Sequence, residues 1–155
     1  MALKSNYNEQ KTNRELHLIQ EAEYMLMLED LKTDCDIFLR DTREQPEGHE
    51  LGFYNNREGF LRDSIAAYIF RDGMLVWFDE RGNSSENREA IRDVKKRSRG
   101  FTVIGIAGMQ YASKVEALGY NVISMQGDRF IIDLASSFLK HGQGKVLRAK
   151  RINAF

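Results

Sequence analysis

A single mixed α/β domain is the fold class that the sequence predicts, and three stretches predict it. Phe101–Ile106 is an apolar, β-branched run of strand length, and such a run needs cover on both faces. Arg71-Asp72-Gly73 separates two further apolar runs, and Asp-Gly in that setting signals a hairpin. Upstream, Thr12-Asn13-Arg14-Glu15 has the form of a capping box ahead of apolar residues at helical spacing. With 155 residues, 42% of them apolar and 10% aromatic, the chain can bury one core but not two comfortable ones. The expected organisation is a flexible 1–12, a domain over 13–144 and a basic tail over 145–155.

Taken in order, the first helix is expected from Asn13 to Leu31, its stripe made by Leu16, Leu18, Ile19, Ala22, Met25, Leu26, Leu28 and Leu31. The run Tyr24–Leu28 is apolar beyond one face, which plain core packing accounts for and which also suits a helix that is sandwiched or meets a second chain. Asp36–Arg40 has the length of a short strand. Asp41–Asn56 is charged and holds Pro46, Gly48 and Gly52, so it reads as an exposed loop. Ile65–Phe70 and Met74–Phe78 form the hairpin, with Trp77 and Phe78 on opposite faces, so that one of them belongs to the core. A helix follows over Ser84–Ser98, its acids early and Lys95, Lys96, Arg97 and Arg99 at its end, an order that complements the helix dipole. After the Phe101–Ile106 strand comes a helix over Met109–Leu118, stopped by Gly119. Asn121–Met125 and Arg129–Leu134 are expected as two more strands about a Gln126-Gly127-Asp128 turn, and a short helix ends at Gly142. The total is a sheet of five or six strands with the N-terminal helix packed on it.

Lys and Arg together number 23, as do Asp and Glu, for a formal net charge of zero. The balance is uneven: residues 1–58 carry net −6, residues 59–100 net +2 and residues 101–155 net +4. A neutral total argues against a DNA-coating protein, whose affinity comes from phosphate neutralisation. The asymmetry permits head-to-tail association or a local basic contact. One cysteine, Cys35, rules out an intramolecular disulfide and suits a reducing compartment. No apolar run reaches the roughly 18 residues of a membrane span, and the first residues lack a hydrophobic leader. The expected location is the cytoplasm or the inside of a virus particle, with no membrane association.

Motifs that carry chemistry are weak. Val103–Ala112 offers Gly105 to a dinucleotide fingerprint, but Ala107 and Gln110 take its other glycine positions. Gly105 and Gly108 are better explained as permitting close strand–helix packing. Gly142-Gln143-Gly144-Lys145 matches only the tail of a P-loop, with Val146 where a hydroxyl would hold magnesium. Cys35 lies between two aspartates that disfavour its thiolate, and His17, His49 and His141 are scattered. His49 and Glu50, near Asp41 and Glu47, lack metal-ligand spacing, so no metal is expected.

The element order from Ile65 onward, with KVEALGYNVI followed by DRFIIDL, resembles the C-terminal half of Gcn5-related N-acetyltransferases. Leu118-Gly119-Tyr120 matches the leucine-glycine-aromatic step that this family often places before its sixth strand. The resemblance implies an acetyl-CoA site on the loop before the central helix. Here Asp79–Ser85 lacks the family's Q/R-x-x-G-x-G/A pattern, and Val115 stands where its tyrosine acid would fall. The resemblance therefore implies a degenerate member, similar to acetyltransferase-like proteins of some bacteriophage particles.

The expected function is a non-catalytic interaction or structural protein that uses no cofactor, its protein partner or second copy meeting Tyr24, Met25, Met27, Lys145, Arg148, Lys150, Arg151 and Phe155. One alternative is an active acyltransferase, with Asn83, Ser84, Ser85 and Glu86 receiving the phosphates of acetyl-CoA and Glu80 as base. Another is a nucleic-acid-associated factor that uses Lys95, Lys96, Arg97, Arg99 and the tail.

Overall fold

The computed structural model describes residues 9–46, 59–82, 85–109 and 112–142. Eight elements follow one another within them: helix α1 (Glu9–Arg43), helix α2 (Phe60–Asp63), strands β1 (Ile65–Arg71) and β2 (Met74–Glu80), helix α3 (Ser85–Asp93), strand β3 (Phe101–Ala107), and helices α4 (Ala112–Ala117) and α5 (Ser124–Lys140). The chain is a mixed α/β domain built on a three-stranded antiparallel sheet of order β2-β1-β3.

The central strand β1 is buried over Ile65–Phe70, which is why it is apolar without alternation. Ile65, Ala67 and Ile69 face α1 and α5 and join Leu31, Cys35, Phe38, Phe130 and Leu134 in the main core. Ala66, Tyr68 and Phe70 face the other way, against Ile91, Ile104 and Ile106. The hairpin turns at Asp72-Gly73, both at positive φ, and a bulge follows where Ile69 pairs Trp77 but Phe70 pairs Leu75. Trp77 packs on the main core while Phe78 is exposed, which meets the sequence expectation for that pair.

Three expected elements are different in kind. Asp36–Arg40 is not a strand, because α1 runs on through it to Arg43. Leu31, Cys35, Phe38, Leu39 and Thr42 keep the three- and four-residue step and are all buried, so helix continues where the row continues. The helix also starts at Glu9, ahead of the expected boundary, and the first residues of the expected Asp41–Asn56 loop belong to its last turn; residues 47–58 lie outside the described set. Of the expected strands, Asn121–Met125 is the irregular approach to α5 and its first two residues, and Arg129–Leu134 is the middle of that helix. Phe130, Leu134 and Phe138 recur every four residues and are buried against α1, a helical period that the Gly127-Asp128 pair disguised as a turn. Gly127 sits inside the helix, its amide donating to the Ile123 carbonyl at 2.6 Å. The sheet accordingly has three strands among the described residues, not five or six.

Two shorter corrections concern helix ends. The helix expected over Ser84–Ser98 stops at Asp93, so only Arg92 of its basic residues lies in the last turn, and the dipole does not explain Lys95–Arg99. The chain is instead irregular from Val94 to Gly100, with the Arg97 amide donating to Thr102 Oγ1 at 3.1 Å. The helix expected over Met109–Leu118 is the shorter α4, closed as anticipated by Gly119 at φ 90° with the Tyr120 amide bonded to the Val115 carbonyl.

Gly105 lies in the middle of β3, not in a phosphate-gripping turn. A Cβ there would stand 2.9 Å from the Phe38 ring and 3.1 Å from Phe130, which are themselves stacked 4.5 Å apart. A Cβ at Gly108 would strike Asn87 Oδ1. Both glycines serve the close approach of helix to strand, as their spacing suggested.

Candidate functional site

The residues named for an acyl-transfer site divide. Asn83 and Ser84 lie outside the described residues. Ser85 and Glu86 open α3, where Ser85 Oγ donates to Glu86 Oε2 at 3.1 Å. Glu80 ends β2 and accepts from Tyr68 Oη at 2.5 Å, with Arg88 at 3.7 Å on its other oxygen. Burial, and then the Glu80 carboxylate, push the Tyr68 phenol upward, so it remains a neutral donor. Behind it Asn87 is fully buried and donates from Nδ2 to the Ser64 carbonyl at 2.9 Å. These bonds tie α3 to β1 and β2. Glu80 thus accepts a hydrogen bond from β1 on one oxygen and faces the Arg88 guanidinium of α3 on the other.

Two further polar hubs were not singled out beforehand: one joins residues far apart in sequence, and the other joins a helix to the start of the next. Arg43 is buried at the end of α1, donating to the Ile65 carbonyl at 2.7 Å and to Asp79 Oδ1 at 3.0 Å. Glu116 of α4 turns its carboxylate onto the first turn of α5 and accepts from the amides of Val122, Ile123 and Ser124 at 3.3, 2.8 and 2.9 Å. Burial acts to raise its pKa, but those amides and the Ser124 side chain outweigh it and hold the carboxyl below its ordinary range. A carboxylate placed there caps α5 from outside its own segment.

The basic residues Lys95, Lys96, Arg97 and Arg99 form an irregular segment between α3 and β3. Lys96 Nζ donates to the Ile91 carbonyl and lies 5.0 Å over the Phe70 ring, so part of this cluster covers the second face of the sheet. Cys35 is fully buried, and burial drives its thiol upward, which removes it from nucleophilic use. Among the described residues no three His, Cys, Asp or Glu side chains converge as a metal site would need. A shallow groove of about 140 Å³ runs between α1 and α5 beside Asp41, Arg129 and Asp133, well under the roughly 300 Å³ of a small-molecule pocket.

The partner-facing residues also divide. Met27 is 2% exposed and belongs to the core, so it cannot meet a partner. Tyr24 is engaged too: the Arg71 guanidinium lies 4.2 Å over its ring, Phe101 meets it edge-on at 6.0 Å, and Arg71 is bonded to Glu21. The cause is the helical period, since Tyr24, Met27 and Leu31 share the covered side of α1. Met25 is 54% exposed on the opposite side, in company with Leu18. Lys145, Arg148, Lys150, Arg151 and Phe155 lie outside the described residues.

Two apolar surfaces stay open among the described residues, the first of them part of the stripe that was expected to pack on the sheet. One is the N-terminal half of α1, where Leu16, Ile19 and Leu26 are exposed. The other is β2, an outer strand of the sheet among the described residues. Its Met74, Leu75, Val76 and Phe78 are 70%, 46%, 41% and 53% exposed. An alternation test could not have found this surface, because the bulge at Val76 breaks the period. Among the described residues no helix is long and apolar enough to cross a membrane. No protein-family model, curated protein or solved structure matches the chain.

Proposed function

We propose that the chain is a non-catalytic interaction protein that binds an extended segment of another protein along the β2 edge of its sheet. The observation that carries this reading is the exposure of Met74, Leu75, Val76 and Phe78 on one outer strand. Outer strands are ordinarily protected by charge, proline or a covering element, since their free amides and carbonyls invite another strand. Here the edge is seven residues long and apolar up to Phe78, with Asp79 and Glu80 only at its end. Strand addition uses such an edge: main-chain bonds supply affinity, and alternate side chains supply selectivity. Phe78, held by stacking at 6.3 Å on the buried Tyr68 of β1, would flank an incoming apolar side chain.

The test compares partners captured by the intact protein and by a Val76→Lys, Phe78→Lys variant. The strand-edge reading expects a defined partner that the variant loses, with the fold unchanged by circular dichroism. Retention of every partner by the variant would remove this reading. Calorimetry with acetyl-CoA separates the acyltransferase alternative, for which a micromolar Kd is required and no heat is expected here. Mobility shifts that weaken steeply with salt would instead favour nucleic acid.

A further inference from the structure

We infer that the basic C-terminal segment, residues 145–155, docks onto the exposed row of α1 formed by Leu16, Ile19 and Leu26 of the same chain. Positions 16, 19, 23, 26, 30, 34, 37 and 41 follow one another at three- and four-residue steps and so share one side of α1. From Asp30 to Asp41 that side is covered by α5, which runs antiparallel to α1. Arg129 reaches Asp41 at 3.8 Å, Ser137 Oγ donates to Asp34 at 2.6 Å, and Lys140 and His141 meet Asp30 at 2.7 and 2.8 Å. α5 then stops at Lys140, and the row goes on uncovered through Leu26 and Ile19, 64% and 57% exposed, to Leu16. The last helix therefore ends beside Asp30, where the open part of the same row begins.

Length and charge both fit the segment that follows, which lies outside the described residues. The row from Asp30 back to Leu16 measures about 21 Å at the helical rise. Residues 143–155 reach about 20 Å as a helix and about 43 Å when extended. Residues 9–31 carry six acids against Lys11 and Arg14, for net −4. Residues 145–155 carry Lys145, Arg148, Lys150 and Arg151 and no acid, for net +4, with Val146, Leu147, Ile152 and Phe155 to meet the leucines. Pairing α1 with α1 of a second copy would set −4 against −4, whereas the tail opposes that charge and is delivered to the row by α5.

Paramagnetic relaxation on the full chain tests this. A nitroxide attached through Asn153→Cys, with Cys35 buried and unreactive, is expected to broaden the methyl signals of Leu16, Ile19 and Leu26 but not those of Met74. Lys145→Glu, Arg148→Glu, Lys150→Glu and Arg151→Glu together should abolish the broadening and leave the core signals in place. Raising salt from 0.1 to 1 M shortens the screening length from about 10 to about 3 Å and should weaken it. A mixture of isotope-labelled protein without nitroxide and nitroxide-bearing protein at natural abundance should show no broadening. Broadening in that mixture would mean that a second copy supplies the tail, and its absence from the single-chain sample would mean that the row is open; either result overturns the inference.

Discussion

The two halves of α1 have similar apolar content and opposite fates. From Met27 to Arg43 the apolar positions fall on the side that meets β1 and α5, and Met27, Leu31, Cys35, Phe38 and Leu39 are buried. From Glu9 to Leu26 they fall mainly on other sides, and Leu16, Leu18, Ile19, Met25 and Leu26 stand in solvent. The same 3.6-residue period is present in both. The difference is which side of the cylinder the rest of the domain occupies, and how far along the axis α5 extends before Lys140. An apolar stripe on a helix is thus evidence of a contact to be made, but not of the contact that this fold makes.

Substitutions along this helix and at the elements that cover it sharpen the contrast. The largest effect is expected from Leu31→Ala, where a fully buried side chain is removed. Urea denaturation should show a loss of about 2–5 kcal/mol. Next is Gly105→Ala, whose new methyl would press on the Phe38–Phe130 stack between α1 and α5. A cost of about 1–3 kcal/mol is expected by the same assay, and a neutral result would mean that the two helices can separate freely.

Glu116→Gln should cost about 0.5–2 kcal/mol through loss of the carboxylate cap on α5. The folded carboxyl lies below its ordinary range, so its contribution is present above the unfolded value near 4.3 and is lost as pH falls through the lower folded value. Asp30, lowered chiefly by its hydrogen bond from Lys140 and then by that from His141, acts in the same direction. Asp34, raised by burial despite its bond from Ser137, acts oppositely and favours the fold as pH falls through its higher value. Acid titration of wild type and variant, followed by circular dichroism, should therefore show a shallower acid loss in Glu116→Gln. The smallest effect belongs to Leu18→Ala, within about 0.5 kcal/mol, because its side chain is exposed and lies off the row of Leu16, Ile19 and Leu26. A clearly larger loss at Ile19, restored to neutrality when the four tail cations are reversed, would place the tail on this row.

The covered half of α1 also explains which elements the sequence misrepresented. Phe130, Leu134 and Phe138 carried a helical period, but Gly127-Asp128 between short apolar runs looked like a hairpin turn, and local turn chemistry outweighed the longer row. Glycine inside a helix costs only about 1 kcal/mol relative to alanine, so α5 tolerates Gly127 once Phe130 and Phe138 pack on α1. Asp36–Arg40 was similarly misread, because its charged residues hid Cys35, Phe38 and Leu39 at helical steps. The Tyr24–Leu28 surface was half legible: its excess of apolar residues was visible, while the covering of Tyr24 by Arg71 and Phe101 depends on strands that lie much later in the chain.

By itself the sequence determined the mixed class, the Asp72-Gly73 hairpin, the buried character of β1, the place of β3 and the stop at Gly119, since each rests on local φ preference or on a short apolar period; β3 itself is buried only at Phe101 and half-buried beyond it. Tertiary structure alone decided the length of α1, the formation of α5 where strands were expected, and the exposure of Met74–Phe78. Those features depend on which distant surfaces meet, and burial energy summed across such contacts exceeds the fraction of a kcal/mol per residue by which local propensities differ.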